Sequence, residues 1–480
     1  MDTIVKDTGH TFNQLEKEIY RMICQAGVDF TRVILEQKDQ ELFDNADKSK
    51  YHSEGFRTTS IKTVYGPVSY KRRVYKTTTD EGKRAFVYLL DEAMGMEKIG
   101  LISENLAEKI ADLATEAPYR ETANTITETT GTSISAQGAW GLMQRLGDRI
   151  ITEEEHAVNQ MNSGNSEGEK ILSVLFEEMD GVWIRQQGDH HEKKPMQEVK
   201  VATTYEGWDA EKEKQNRGSL VGKRVVAGIE DSKTFHEKRE ADIQKHYNVD
   251  EIQQRIVNGD GGSWIGEPND PDAVIQLDPF HVHKEIRRCI ADKNTQSLIE
   301  EYLAEKRIDE ALRCIQVYID SIDNGNEKDG KIKKGKELLS YLTNNKTALV
   351  PWQERGLDIP EAPEGVIYKG MGVQESQNCT VITLRMKHRR MRWSRHGGNN
   401  MVKALCRKEN KELHETINRY SKELIFSNEI EEAVEILSAA KAPKKDGKGS
   451  AYLEIWNQHM PILDAVLTEA RKYFRAISTV

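Results

Sequence analysis

The sequence predicts an α/β protein in which a strand-rich region is preceded by helices and interrupted by a second helical region. Three observations indicate this class. Residues 166–283 contain short runs rich in valine, isoleucine and threonine between glycine-containing turns, which is typical of strands. Residues 284–346 place leucine, isoleucine and alanine at helical spacing among many lysines and glutamates. Strand-like residues resume after Pro360–Pro363, so the helical region separates two parts of the strand-rich region.

Length and composition exclude several classes of protein. The chain has 480 residues, which suggests two to four folding units. No stretch approaches 18 consecutive apolar residues, and the first twenty residues lack the features of a secretory signal, so we expect a cytoplasmic protein without a membrane span. Five scattered cysteines indicate reduced thiols. The formal charge of -10 argues, as a total, against a nucleic-acid binder.

An N-terminal helix is predicted over residues 11–46, because apolar residues recur at helical spacing from Phe12 to Val33. It is either a packing helix or a dimerisation arm. A β-hairpin follows, in which residues 61–76 turn at Gly66–Pro67. Residues 61–76 hold five basic side chains and no acid: Lys62, Lys71, Arg72, Arg73 and Lys76. These cations indicate either a DNA-contacting surface or lysines that block edge pairing.

Two further helices are predicted around a short Gly131-Thr132-Ser133 break. Their spacing is typical of a helix-turn-helix, in which a second helix over residues 136–146 would enter a major groove. The same pattern is common in proteins that never contact DNA. The acidic residues 152–169 are expected to form a linker into the strand-rich region.

Three carboxylates are distinguished by their positions in the predicted elements. Asp180 is predicted to end the first strand at a tight Asp180-Gly181 turn, and Asp260 to end a later strand. Glu375 lies in or just before a helix. A central strand, its neighbour and a late helix could bring these groups together as ligands for two Mg²⁺ ions. A structural role remains the alternative, because the chain has 79 acids and Asp-Gly is a frequent turn dipeptide.

A carboxylate and an imidazole, Asp278 and His281, stand three residues apart where a strand leads into a helix. They could orient the metal ligands by hydrogen bonds without binding the metal themselves, or they could stabilise a backbone turn. A zinc site is not indicated, because no cysteine partners them at suitable spacing.

A basic segment follows the third acid. Residues 381–410 hold nine lysines and arginines against one glutamate. Those expected to contact DNA phosphates are Arg385, Lys387, Arg389, Arg390, Arg392 and Arg395. The alternative is a solvated basic helix face.

Six motifs, in this order, resemble one family of proteins: FEEMDGVW, VATTYEGW, NGDGGSWI, QLDPFHVHK, YKGMGVQES and RMKHRRMRWSRHGGNNM. The chain resembles the ISLre-type bacterial insertion-sequence transposases, a family that also carries an uncharacterised-protein-family label and is similar to the Mutator-like transposases. The resemblance extends over nearly the whole chain.

The resemblance implies a DDE transposase with a ribonuclease-H-like core that is interrupted by an all-helical insertion. It implies that Asp180, Asp260 and Glu375 are the catalytic metal ligands. Asp278 and His281 match an element that follows the second acid in Mutator-like transposases.

The third acid has nearby alternatives. Glu361 and Glu364 precede Glu375, but they lie in a proline-flanked loop that suits a helix-borne ligand less well.

The implied activity is Mg²⁺-dependent cleavage at the element ends followed by transfer of the freed 3′-hydroxyl into target DNA. Two ions are expected, with Mn²⁺ as a substitute. The implied partners are double-stranded DNA and further copies of the chain, at the bacterial nucleoid. Two alternatives remain: a catalytically silent DNA-binding regulator and a stand-alone ribonuclease-H-like nuclease.

The predicted organisation has six segments. An N-terminal helix with a basic hairpin is followed by a helix-turn-helix region, the first part of the core, the insertion, the second part of the core and a helical tail. Their ranges are 1–100, 101–165, 166–283, 284–360, 361–406 and 407–480.

Overall fold

A computed structural model describes residues 11–79, 82–95, 102–166, 168–188, 196–265, 273–322 and 330–419. The predicted helical tail beyond residue 419 therefore lies outside the described residues. The chain divides into two compact units. Among the described residues, the first unit consists of those within 11–109, 123–135 and 418–419, and the second of those within 110–122 and 136–417.

The first unit contains a long helix and a three-stranded antiparallel sheet. Helix α1 begins with a capping box, in which Thr11 and Gln14 satisfy each other's backbone N–H groups. The core includes Leu35, Val68 and Leu90. The elements are α1 (Phe12–Asn45), β1 (His52–Thr63), β2 (Gly66–Thr78), β3 (Arg84–Val87) and α2 (Leu89–Met94).

The hairpin was predicted to turn at Gly66–Pro67, and this is wrong by two residues. Thr63 pairs with Gly66, so the turn lies at Val64 and Tyr65, and Gly66 is the first residue of β2. Gly66 has a φ of 142°, which favours glycine.

Helices α3 (Glu104–Glu116) and α4 (Tyr119–Thr129) precede the long helix α5 (Ala136–Asn162). The helix expected to enter a major groove is only the start of α5. In the second unit α5 packs against the helix of residues 395–409, where Gly147 allows the close approach of Asn400. This packing buries Leu142, Met143 and Leu146, so that face is occupied by the protein itself. The predicted linker is also wrong in part, because residues 152–162 continue α5.

A five-stranded mixed sheet forms the centre of the second unit, with the order β10-β9-β4-β5-β8. Strands β5 and β8 continue antiparallel from β4, whereas β9 runs parallel to β4 and β10 parallel to β9. A smaller sheet has the order β11-β6-β7. The strands are β4 (Val174–Ile184), β5 (Gln197–Tyr205), β6 (Gly207–Asp209), β7 (Leu220–Val221), β8 (Arg224–Gly228), β9 (Gln254–Gly259), β10 (Val274–Leu277) and β11 (Val366–Ile367).

The predicted turn at Asp180-Gly181 is wrong. Strand β4 continues through both residues to Ile184, because its pairing with β5 extends unbroken from Phe176 to Ile184. The neighbouring strand β9 ends beside Asp180, because its pairing with β4 stops at Met179. Asp180 thus lies within a central strand, at the edge of its parallel pairing.

The remaining helices connect or follow the strands of the second unit. They are α6 (Ala210–Lys214), α7 (Ser232–His246), α8 (Pro279–Cys289), α9 (Lys293–Ala304), α10 (Ile308–Ile322), α11 (Gly330–Asn344), α12 (Gln374–Gln377), α13 (Leu384–Met386), α14 (Arg395–Glu409) and α15 (Leu413–Asn418). A π-helical segment, Asn378–Thr383, joins α12 to α13.

Helices α8 to α11 share one apolar core, which contains Ile286, Ile299, Ile315, Leu338 and Leu342. The described residues of 284–346 are helical or in short connections and contain no strand, as predicted. Among the described residues, no helix has both the length and the apolar character needed to cross a membrane.

Candidate active site

Two of the predicted acids lie at matching positions on neighbouring parallel strands. Met179 of β4 pairs with Gly259 of β9, and Asp180 and Asp260 each follow directly. Because both strands run in the same direction, both acids lie at the same edge of the parallel pairing. Asp260 was predicted to end its strand, and β9 ends one residue before it, at Gly259.

The third predicted acid lies beside the first. Glu375 is in the first turn of α12, and its carboxylate forms a compact group with Asp180 and His281. The potential ligand atoms of these three side chains all lie within 4.8 Å of one another. Asp180 is buried and Glu375 is exposed, so the group opens to solvent from a buried base. Glu361 and Glu364 lie in an irregular loop and are not members of this group.

Asp180 is held by three contacts. Its Oδ1 accepts a hydrogen bond of 2.7 Å from the Gly181 N–H, and its Oδ2 accepts one of 2.6 Å from Asn378 Nδ2. Oδ2 is also 3.5 Å from Nε2 of His281. The carboxylate therefore has a fixed orientation toward α12 and α8.

His281 was expected to act behind the metal ligands, but it lies within the group itself. Its hydrogen bond to Asp180 raises the pKa of the imidazole, against an opposing effect of burial. The charges of Asp180, Asp278 and Asp260 raise this pKa further. The protonated imidazole is thus favoured beside the acids.

Asp278 caps helix α8. Its Oδ1 accepts a 2.9 Å hydrogen bond from the Phe280 N–H, and Pro279 occupies the first helical position, where no N–H is needed. Its own N–H donates to the Gly259 carbonyl oxygen, which ties the start of α8 to the end of β9. Burial raises the pKa of the Asp278 carboxyl. Asp278 thereby positions the turn that carries His281.

Asp260 is close to the group without being a member of it among the described residues. Its Oδ1 accepts a 2.7 Å hydrogen bond from the Gly262 N–H, and its carbonyl oxygen accepts one of 2.8 Å from the Tyr341 hydroxyl. The first contact turns the carboxylate toward its own loop. The second links the loop to α11 of the helical insertion.

The sequence reasoning missed Glu178, Gln374 and Asn378. Glu178 is fully buried on β4 and accepts hydrogen bonds from the residues that begin α12. Gln374 donates to Asn378, which in turn donates to Asp180. Strand alternation could have placed Glu178 on the same face as Asp180, but no pattern in the sequence indicates its partners.

The charged hairpin of the first unit offers fewer free cations than its sequence suggested. Arg73 forms a 2.7 Å ion pair with Asp39, and Arg72 pairs with Asp91 and stacks on the Tyr88 ring. Both guanidinium groups are largely buried by these contacts, so the prediction that they contact DNA is not favoured by their geometry. The Lys71 side chain is exposed.

The basic segment after α12 divides into buried and exposed cations. Arg385 was predicted to contact DNA, but it is 3% exposed, donates to the Ala114 carbonyl oxygen and stacks on Trp393. Its geometry does not favour a contact with DNA, because the guanidinium group is buried against the protein itself. The remaining predicted cations are exposed: Lys387, Arg389, Arg390, Arg392 and Arg395. Arg389 also forms an ion pair of 2.5 Å with Glu121.

The sheet and its side chains define a mixed α/β protein with an Asp-His-Glu group at the edge of its parallel strands. The chain belongs to the uncharacterised protein family UPF0236, whose profile matches residues 5–423. A curated relative from Streptococcus gallolyticus, the "UPF0236 protein in vanSb 3'region", is 26% identical over 417 residues. That similarity covers 85% of each of the two chains.

Proposed function

We propose that this protein is a metal-dependent DDE transposase that cleaves DNA at the ends of an insertion sequence and joins those ends to target DNA. One observation carries the proposal. Asp180 and Asp260 occupy matching positions on parallel strands, and Glu375 lies within 4.8 Å of Asp180 although it is 195 residues further along the chain. Asp180 and Glu375 thus come together from separate segments, and Asp260 lies at the same edge of the parallel strands.

The strand arrangement supports a ribonuclease-H-like core as the scaffold of this activity. Three neighbouring strands of the central sheet, β4, β5 and β8, are antiparallel to one another in turn. Strands β9 and β10 lie on the other side of β4 and run parallel to it. The helical region α8 to α11 follows β10, and α12 brings the third acid back to the sheet. This order is what the resemblance to DDE transposases leads us to expect.

The donor set suits a hard divalent cation. Asp180 and Glu375 offer carboxylate oxygens, the ligands that Mg²⁺ prefers, whereas the imidazole of His281 is a poorer ligand for it. We therefore assign cation binding to the carboxylates of Asp180, Glu375 and Asp260, with Mn²⁺ as a substitute for Mg²⁺. The bound cations would activate the attacking oxygen and stabilise the leaving oxygen of a phosphodiester.

His281 and Asn378 have supporting roles in this proposal. Asn378 fixes the orientation of Asp180 through its 2.6 Å hydrogen bond. The protonated His281, 3.5 Å from Asp180, balances carboxylate charge in the absence of a cation. Its proton is expected to be lost more readily once a cation binds, because like charges then lie close together.

Double-stranded DNA is the proposed partner, and the exposed cations that follow α13 support it. Arg390, Arg392 and Arg395 are exposed in one short stretch of chain and can neutralise phosphates. We also propose self-association. The exposed apolar residues of α1, which include Phe12, Ile19 and Ile23, offer a surface for a second copy.

The direct test is cleavage and strand transfer on DNA that carries the sequences flanking the coding gene, with Mg²⁺ or Mn²⁺. The substitutions Asp180→Asn, Asp260→Asn and Glu375→Gln should each abolish both reactions while DNA binding persists. Full activity in any one variant would remove that residue from the site. Specific DNA binding by the wild-type protein without cleavage would favour the DNA-binding regulator. Metal-dependent cleavage without strand transfer would favour a stand-alone nuclease.

A further inference from the structure

Glu178 is a fully buried carboxylate that lies close to the proposed active site. It precedes Asp180 by two residues on β4. Since side chains alternate along a strand, both carboxylates extend from the same face of the sheet. No arginine or lysine is among its hydrogen-bond donors in the described part of the chain.

Five groups donate hydrogen bonds to this carboxylate. Two come from the flanking strands: the Tyr205 hydroxyl of β5 at 2.7 Å and Asn258 Nδ2 of β9 at 3.0 Å. Three are consecutive backbone N–H groups, those of Gly372, Val373 and Gln374, at 3.0 to 3.2 Å. A carboxylate has about four lone-pair sites, so Glu178 has no spare capacity to bind a cation.

The three backbone donors lie at the beginning of α12, immediately before Glu375. The first N–H groups of a helix lack partners within the helix and need an acceptor. Val373, at the cap position, provides no side-chain hydrogen bond. Glu178 supplies the acceptor instead, and its negative charge is favourable at the N-terminal end of a helix. Gly372 has a φ of 135°, a conformation that favours glycine and directs this turn over β4.

A second connection joins the same helix to Asp180. Gln374 Nε2 donates to Asn378 Oδ1 at 2.8 Å, and Asn378 Nδ2 donates to Asp180 Oδ2 at 2.6 Å. Helix α12 is therefore attached to β4 at two points, Glu178 and Asp180. Glu375 lies between these two attachments along the chain.

We propose that Glu178 is a positioning residue, which sets the distance between Glu375 and Asp180 by holding the start of α12 on β4. The inference rests on the proposed function of the site. Without the carboxylate, three backbone N–H groups lose their acceptor, and α12 is free to shift relative to β4. The cation affinity of the site then falls, although neither proposed ligand has changed.

The test compares Glu178→Gln with Glu206→Gln. Glu206 is a suitable control, because it is also buried and also accepts a hydrogen bond from a tyrosine hydroxyl, that of Tyr247 at 2.9 Å. It has no contact with α12 among its described hydrogen bonds. Mn²⁺ alone is the probe, titrated by calorimetry and in the cleavage assay.

Glu178→Gln should raise the Mn²⁺ concentration for half-maximal binding and cleavage about 10- to 100-fold, the usual effect of losing a group that orients a ligand. High Mn²⁺ should restore most of its cleavage rate, whereas Glu375→Gln should not recover. Glu206→Gln should leave the Mn²⁺ midpoint within about twofold of wild type. A folded Glu178→Gln protein with a wild-type Mn²⁺ midpoint would overturn the inference.

A measurement on the wild-type protein covers the case in which Glu178→Gln does not fold. Hydrogen exchange at the amides of Gly372, Val373 and Gln374 should be slow, because Glu178 accepts from all three. Exchange at the rate of an unprotected loop would overturn the inference. A wild-type protein that neither binds Mn²⁺ nor cleaves DNA would instead refute the proposed function, and the positioning role with it.

Discussion

The two faces of β4 use adjacent glutamates in opposite ways. Glu177 and Glu178 are both fully buried, but alternation along the strand sends their side chains to opposite sides of the sheet. Glu177 meets cations: Arg255 Nε donates to it at 2.7 Å, and Arg239 lies 3.3 Å away. Glu178 meets backbone N–H groups, an amide and a phenol. Glu177 is thus held by ion pairs, whereas the described hydrogen-bond donors of Glu178 are uncharged.

The difference separates a structural face, which carries Glu177, from the face that carries the proposed active site. On the Glu177 side, both arginines are buried, and Arg255 also pairs with Glu240 of α7 at 3.0 Å, so the charges are balanced within the protein. On the Glu178 side, no arginine or lysine is among the described partners of Glu178 or Asp180, and the protonated His281 lies 3.5 Å from Asp180. An external divalent cation on that side would replace the contact between Asp180 and His281 and would not break a buried arginine–carboxylate ion pair.

The largest effect is expected from Asp180→Asn. The amide retains the size of the side chain but removes the charge that binds a cation, so cleavage should fall by at least about 10³-fold. The melting temperature should change little, because the loss of the contact with His281 is offset by weaker repulsion among the acids of this face. Single-turnover cleavage and thermal unfolding of the same preparation measure both effects. If the variant loses its fold together with its activity, then Asp180 is needed for stability as Glu177 is, and the proposed difference between the two faces is contradicted.

Glu177→Gln should show the reverse pattern. Removing this carboxylate leaves Arg239 and Arg255 buried without their shared partner, which typically costs about 3–5 kcal/mol of the free energy of unfolding. Urea denaturation measures the loss. The Mn²⁺ midpoint of the folded variant should stay close to wild type, since Glu177 faces away from α12. A stability loss below about 1 kcal/mol would show that the ion pairs are not needed for the fold.

The loss of folding stability at acidic pH should depend on carboxyl groups of the structural face, which carries Glu177. Burial opposes ionisation of Glu177, but the charges of Arg239 and Arg255 outweigh it and lower the pKa of this carboxyl. Burial likewise opposes ionisation of Asp242 on α7, and the hydrogen bonds and charge of Arg224 lower its pKa. Since each pKa is lower in the folded protein, the stabilisation is complete above the unfolded pKa of about 4. It is lost as the pH falls through the lower folded values.

Thermal unfolding between about pH 6 and pH 3 tests this dependence. The melting temperature should decrease below about pH 4, and Asp242→Asn should flatten that decrease. If the melting temperature of Asp242→Asn decreases at acidic pH as much as that of the wild type, other carboxyls cause the pH dependence. The substitution should not alter the Mn²⁺ midpoint, because Asp242 pairs with Arg224 at 2.8 Å on the α7 side.

Two of the proposed acids could be placed from the sequence, because Asp260 directly follows a strand and Glu375 lies at a helix start, where such pattern rules apply. The course of β4 could not, since Asp-Gly is a common turn pair and only the partner strand β5 keeps it extended. Glu178 was missed for a different reason. Its α12 partners are backbone N–H groups about 194 residues away. The residue types in a sequence do not indicate which backbone N–H groups will donate to a given side chain.

Counts of charged residues predicted the exposed cations only in part. Such a count cannot distinguish an exposed arginine from one with an internal partner. Arg385 donates to the Ala114 carbonyl oxygen, and Arg73 pairs with Asp39. Both partners are distant in sequence, so a local sum of charge includes cations that are not available to a phosphate.

The smallest effect is expected from the exposed cations after α13. Each phosphate contact that is lost should lower the salt dependence of DNA binding by about 0.9 in log–log slope. The double substitution Arg390→Ala with Arg392→Ala should therefore reduce the slope by up to about 1.8, with a matching loss of affinity at low salt. Lys233→Ala, which removes an exposed lysine of α7, is the control and should leave the slope unchanged.

Arg73→Ala should lower stability without changing the slope, since its guanidinium is already paired with Asp39. A fall in slope for Arg73→Ala equal to that of one exposed arginine would mean that internal pairing does not withhold a cation from DNA.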